Sequence, residues 1–254
     1  MAVNDLLYKV EDGIATFTIN REEKRNSISA EVIKLFMKYL DKAEKDESVR
    51  VLSITGAGDK SFCSGADLGG GSGTGGGAKE YASLIKRIAG FPKPTVAQVN
   101  GYCLAGGIGF MLACDIVIAT ETAKFGTPEV NVGLFPMMIG ALIFRNVLRK
   151  KAMEMVLLGE RMTAREAKEM GLVTRVVPAA YLDEEVKGVL NILSKKSPIG
   201  MKLGKEAFYK MADMPFEEAV DYLSGKIMKV AATEDAVEGI TAFFEKRNPV
   251  FKGK

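Results

Sequence analysis

Asn100-Gly101-Tyr102-Cys103-Leu104-Ala105-Gly106-Gly107 is a turn of small residues between a β-like run, Thr95–Val99, and an apolar helical run at 108–113. Glycine lets another molecule approach such a turn closely, and the turn leaves a bare backbone N–H to bond an oxygen. Phe62-Cys63-Ser64-Gly65-Ala66-Asp67-Leu68 has the same character after a β-like run of its own. A third segment, Phe125-Gly126-Thr127-Pro128-Glu129-Val130, carries an acid among apolar chain: Val130, Val132, Leu134, Phe135, Met137 and Met138. Those flanks predict a desolvated Glu129 with its pKa pushed up, toward what a base working near neutrality needs.

Outward from these segments the pattern alternates. Strand-like runs at 6–10 and 14–20 flank the turn Asp12-Gly13, and an amphipathic stretch at 29–46 follows, with Ser29 as its cap. Further β-like runs at 49–55, Thr95–Val99, 115–119 and 172–177 are separated by helical segments, an α/β pattern. From Ala180 the chain reads as helical, at 181–194, 199–211, Phe216–Ala231 and 234–246, punctuated by Pro198 and Pro215. A boundary near Lys195 divides it into 1–195 and 196–254.

With 254 residues, 47% of them hydrophobic, the chain can bury a substantial core. It contains no histidine, which removes the usual general base, the usual zinc ligand and the middle of a Ser-His-Asp triad. Proton transfer then falls to carboxylate, Lys, Tyr or Cys. A net charge of +3, with basic and acidic residues interspersed, speaks against nucleic acid and suits a phosphate-bearing substrate. The longest apolar stretches, 133–144 and 106–119, are too short to span a membrane, and Asp115 breaks the second. Three cysteines cannot all pair, and Met1-Ala2-Val3-Asn4-Asp5 lacks the basic head and apolar run of a secretory signal, so a reducing, cytoplasmic setting is expected. Cys63, Cys103 and Cys114 read as buried small hydrophobes.

The run from Gly69 to Gly77 contains a G-x-G-x-x-G, but no helix opens within it, and Lys79 between Ala78 and Glu80 does not make a Walker A motif. Seven glycines in nine residues read instead as a flexible loop, placed to act as a flap over an acyl pocket.

The Ser-Gly-Ala-Asp turn, the Gly-Tyr-x-Leu turn and the Pro-Glu pair, in this order and with Phe244-Glu245-Lys246-Arg247-Asn248-Pro249 at the far end, resemble the crotonase family, also called enoyl-CoA hydratase/isomerase. The likeness covers nearly the whole chain. It implies a spiral of ββα units over 1–195 and a helical oligomerisation region over 196–254 that packs a homotrimer or a dimer of trimers. It also implies an acyl-CoA thioester as substrate, with no metal or redox cofactor. By the same match Ala66 and Gly106 supply the two oxyanion-hole N–H groups and Glu129 the base. Arg25, Ser64, Asp67, Leu68 and Gly107 line the substrate and CoA site, with Phe244 and Lys246 reaching the adenine region, often that of a neighbouring subunit.

The family's hydratases carry a second glutamate three residues after the oxyanion-hole glycine, where this chain has Gly109. Isomerases of the family work with the Pro-Glu carboxylate alone. The expected reaction is therefore migration of a β,γ double bond to α,β through an enolate, and Gly109→Glu is expected to raise hydration. Met137 stands where dienoyl-CoA isomerases and some dehalogenases of the family have an aspartate, which demotes both activities. The alternatives are an enoyl-CoA hydratase, a non-catalytic acyl-CoA-binding member, and a thioester hydrolase or decarboxylase on the same scaffold.

Overall fold

The computed structural model describes residues 4–67 and 77–254. Leu68 and the glycine run up to residue 76 lie outside them, and with them the flap reading. β1 (Leu6–Glu11) and β2 (Ile14–Ile19) form an antiparallel hairpin. Asp12 and Gly13 close it, both at positive φ (51° and 77°), as a two-residue turn between right-twisted strands requires. α1 (Ala30–Lys45) starts where Ser29 accepts the Val32 N–H at 3.1 Å, and its stripe of Val32, Phe36, Leu40 and Ala43 faces the core.

The chain then repeats one unit three times. β3 (Val51–Gly56), β4 (Ser61–Cys63) and α2 (Ala78–Ala89) make the first turn, and β5 (Thr95–Val99), β6 (Tyr102–Leu104) and α3 (Gly106–Leu112) the second. β7 (Ile116–Thr120), β8 (Lys124–Gly126) and, past a short helical turn at Pro128–Val132, α4 (Met137–Asn146) make the third. α5 (Arg149–Leu158), β9 (Met162–Thr163), α6 (Ala164–Glu169) and β10 (Arg175–Val177) follow. The first strand of each turn joins a six-stranded sheet ordered β1-β2-β3-β5-β7-β10, and the second joins a four-stranded sheet ordered β4-β6-β8-β9. The large sheet is parallel from β2 onward, and β4, β6 and β8 are also parallel to one another. The ββα spiral implied by the resemblance is thus present.

The main core lies between the sheets and α1 to α3, where Phe36 stacks on Phe17 at 5.5 Å and tilts against Phe110 at 5.2 Å. The other face of the large sheet, at Val51, Val96 and Ile118, is covered by α7 (Leu182–Ser194) through Leu182, Val186, Val189 and Leu190. Burial on both faces explains why these strands read as continuous apolar runs. The strand expected over 172–177 is shorter, because the Leu172 N–H bonds the Ala167 carbonyl and closes α6. Cys63, Cys103 and Cys114 are buried and free, and burial pushes the Cys63 thiol up to about 12.

α8 (Pro198–Met211), α9 (Phe216–Ala231) and α10 (Glu234–Phe244) pack on one another. Lys205 of α8 ties them to the spiral by donating to the Lys93 carbonyl at 2.9 Å and pairing with Asp115. Asp235, 2% exposed, gathers the chain end by accepting the Lys252 and Gly253 N–H groups and the Ser197 hydroxyl. Among the described residues no helix is long and apolar enough to cross a membrane.

Candidate active site

The three segments singled out in the sequence follow β4, β6 and β8, neighbouring parallel strands, so their ends lie along one edge of the small sheet. The contacts between them are direct. The Ala105 N–H donates to the Gly126 carbonyl at 2.9 Å, joining the second segment to the third. A β-carbon on Gly65 would lie 2.6 Å from Ala105 Cβ and 3.2 Å from the Gly106 nitrogen, so the first and second segments touch there. Only glycine fits this position, and its φ of 95° also favours glycine.

The orientation of the Ala66 amide follows from its neighbours. Ile28 donates to the Gly65 carbonyl at 2.8 Å and accepts from the Asp67 N–H at 3.0 Å. Ala66, between them, turns its own N–H to the opposite side, where it makes no backbone hydrogen bond to a described residue. The Gly106 N–H is likewise without a backbone partner among the described residues, as a helix's first amides are by construction. Ala105 before it holds φ 50° and ψ −126°, a strained conformation that costs about 1–3 kcal/mol and persists only where surrounding structure enforces it. Gly107 is buried with its α-carbon turned to Cys63 of β4, so its small size serves helix-strand packing.

Glu129 sits in the Pro128–Val132 turn, held from below by the Thr127 hydroxyl on the Met155 carbonyl (3.1 Å) and Asn131 on the Gly159 carbonyl (3.3 Å). Its Oε2 is buried and has no hydrogen-bond partner among the described residues. Burial pushes its pKa up, only partly offset by a hydrogen bond from its own backbone. The direction and its cause, desolvation, agree with the sequence reading, but the flanks do not supply it: Val132, Leu134, Phe135, Met137 and Met138 are all exposed. The turn faces them outward and tucks the carboxylate inward.

A raised folded-state pKa fixes two pH dependences of opposite sign. A rate that needs ionised Glu129 falls as pH drops through that pKa, so the acid limb of kcat/KM is expected above the ordinary glutamate value. Stability runs the other way: the contribution is full below the unfolded pKa and is lost as pH rises through the folded one. The melting-temperature advantage of a Glu129→Gln variant over the parent should therefore grow with pH and vanish in acid. An advantage that does not change with pH would show that this carboxylate is not desolvated.

The remaining anticipated residues divide between scaffold and surface. Asp67 pairs with Arg21 at 2.7 Å, and Arg21, itself buried, also reaches the Ser27 carbonyl at 2.7 Å and Asp5 at 3.1 Å. Ser64 donates its N–H to the Arg25 carbonyl at 3.1 Å, and Arg25 and Asn26 hold αL geometry (φ 53° and 54°). Asn26, fully buried, braces this strap through the Ala57 and Ser61 carbonyls. Asp115 accepts the Thr95 N–H and hydroxyl. Phe244 ends α10 and Lys246 follows it, both exposed on the helical region. Arg21, Asn26 and Tyr81 were not singled out in the sequence. Each acts through contacts of 25 residues or more along the chain or through an unusual backbone turn, which leaves no local pattern.

Short strands stacked by successive ββα turns carry at one edge the Ala66 and Gly106 amides, without backbone partners among the described residues, and the Glu129 turn. The family model described as enoyl-CoA hydratase/isomerase matches residues 9–254, and the chain belongs to that family. It is similar to the carnitinyl-CoA dehydratase of Escherichia coli K12, 35% identical over 99% of this chain and 100% of the relative. The 2,3-dehydroadipyl-CoA hydratase of the same organism is 32% identical over 99% and 100%. A crystal structure of enoyl-CoA hydratase from Bacillus anthracis matches with a TM-score of 0.94 at 30% identity, over 98% of this chain and 100% of that one.

Proposed function

We propose that the protein isomerises enoyl-CoA thioesters, moving a β,γ double bond to α,β with Glu129 as its single base. The observation that carries this reading is at Gly109: the space a side chain there would enter is already filled by Tyr81 and Ile139, so α3 offers no second carboxylate. Glu129 takes a proton from the α carbon, and the Ala66 and Gly106 N–H groups hold the enolate oxygen. One such donor contributes about 3–4 kcal/mol where it has been removed. The same carboxyl returns the proton at the γ carbon, so nothing is gained or lost overall.

Arg25, Ser64, Asp67, Leu68 and Gly107 are assigned to the walls of the substrate site, Ser64 and Asp67 through the strap that sets Ala66. Phe244 and Lys246 are assigned to the CoA adenine region of a neighbouring copy. Phe208, Phe216, Ile227, Met228, Phe243 and Phe244 expose apolar side chains on α8 to α10. A second and third copy covering them would make the 196–254 region a trimerisation unit. Light scattering after size exclusion should then give three or six chains, and a monomer at micromolar concentration would refute the assignment.

The names of relatives favour a second reading, enoyl-CoA hydratase, in which Glu129 handles water alone. Incubation with a β,γ-enoyl-CoA and, separately, an α,β-enoyl-CoA, followed by product analysis, separates the two. Bond migration without water addition supports the isomerase, dominant water addition supports the hydratase, and no turnover removes both.

A further inference from the structure

Tyr81 of α2 is 8% exposed, and its ring tilts against Phe110 at 5.6 Å. Its hydroxyl donates to the Gly106 carbonyl, within the residue whose N–H is assigned to the oxyanion. A β-carbon on Gly109 would fall inside the contact distance of that hydroxyl, 2.6 Å from Ile139 Cγ2 and 3.0 Å from Ile85 Cδ1. One on Gly106 would lie 3.3 Å from the same oxygen. Burial raises the phenol's pKa most, with Cys63, Cys103 and Glu129 adding to it, so the hydroxyl keeps its proton. That proton is committed to Gly106, which leaves Tyr81 neither base nor acid toward a substrate.

We propose that Tyr81 is a specificity-determining residue, interlocked with Gly109, that closes the room beside α3 to a longer side chain and to the water such a side chain would hold. The proposal rests on the reading of Glu129 as the base of an enolate reaction. Hydration breaks a water O–H bond, forms a bond from that oxygen to the β carbon and puts a proton on the α carbon. Bond migration needs no water, because the proton leaves the α carbon and arrives at the γ carbon. Water would attack the β carbon of the α,β-unsaturated thioester that migration delivers, so filling the water's place stops the reaction at migration.

The pair also corrects the expectation that Gly109→Glu by itself raises hydration, since the new side chain meets the Tyr81 hydroxyl and Ile139. It needs Tyr81 removed first.

The test compares wild type, Tyr81→Ala, Tyr81→Phe, Gly109→Glu and the Tyr81→Ala/Gly109→Glu double variant in deuterated water. Deuterium entry at the α and γ carbons, bond migration and hydration are each followed, with thermal unfolding alongside. Tyr81→Ala should raise hydration per migration event about tenfold, and Tyr81→Phe, which keeps the ring but removes the hydroxyl beside Gly109, should raise it by less. Gly109→Glu alone should lower the melting temperature, and the double variant should recover most of the loss, a non-additivity that requires no activity. Intact migration with an unchanged ratio in Tyr81→Ala, or additive stability effects, would overturn this proposal alone. Loss of hydration in Tyr81→Phe would overturn it too, by showing that the hydroxyl serves the water. Absence of bond migration and of deuterium at the α and γ carbons in every protein would instead remove the enolate reading, and the proposal with it.

Discussion

Glu129→Gln lowers turnover of a β,γ-enoyl-CoA by about 10²- to 10⁴-fold, the range a positioned proton carrier contributes. The variant keeps the shape and both hydrogen-bonding ends of the side chain but cannot accept the α proton. At neutral pH the same variant melts higher than the parent, because a carboxylate whose Oε2 is buried without a partner among the described residues is replaced by a neutral amide. Loss of rate with gain of stability separates a catalytic carboxylate from a structural one. A carboxylate kept for folding would lose both, and a loop carboxylate of no consequence would change neither. Steady-state kinetics and calorimetry on one preparation decide among the three.

Gly65→Ala produces the second large effect, through geometry alone. The added methyl would lie 2.6 Å from Ala105 Cβ and 3.2 Å from the Gly106 nitrogen, at a residue with φ of 95°. Ala105 has little room to give, since it already holds φ 50° and its N–H is bonded to Gly126. The strained backbone costs about 1–3 kcal/mol. Displacement of the Gly106 amide removes one oxyanion donor and lowers kcat by about 10²- to 10³-fold. Denaturant unfolding reads the first effect and single-turnover rates the second. A folded Gly65→Ala protein with unimpaired kcat would sink the assignment of Gly106.

Much of this arrangement is legible in the chain. The long strands and amphipathic helices announce themselves by period, and the Ser29 cap and the Asp12-Gly13 turn fall where their chemistry predicts. The small sheet does not: Ser61–Cys63, Tyr102–Leu104 and Lys124–Gly126 are three residues each, shorter than any alternation can reveal. Their pairing partners lie more than twenty residues away, so convergence of the three segments came from the family resemblance and not from pattern. The exposed flank of Glu129 failed for a related reason. A run of Val, Leu, Phe and Met predicts burial on average, but a short helical turn and an exposed start to α4 put those side chains outside. Tyr81 escaped notice because a tyrosine on an amphipathic helix is ordinarily a core residue, and only the empty position at Gly109 gives its hydroxyl a meaning.

The strand order β4-β6-β8 has a stereochemical consequence. With the amides assigned to the ends of the first two strands and the base to the end of the third, a thioester must lie across the strands, its oxygen toward one side and its α carbon toward the other. Glu129 then meets a single face of the planar enolate, so the proton departs from and returns to that face. Handedness of the product is thus written in the sequence of coils. A circularly permuted chain, which moves the termini but keeps the coils in register, would make the same enantiomer of a γ-deuterated product.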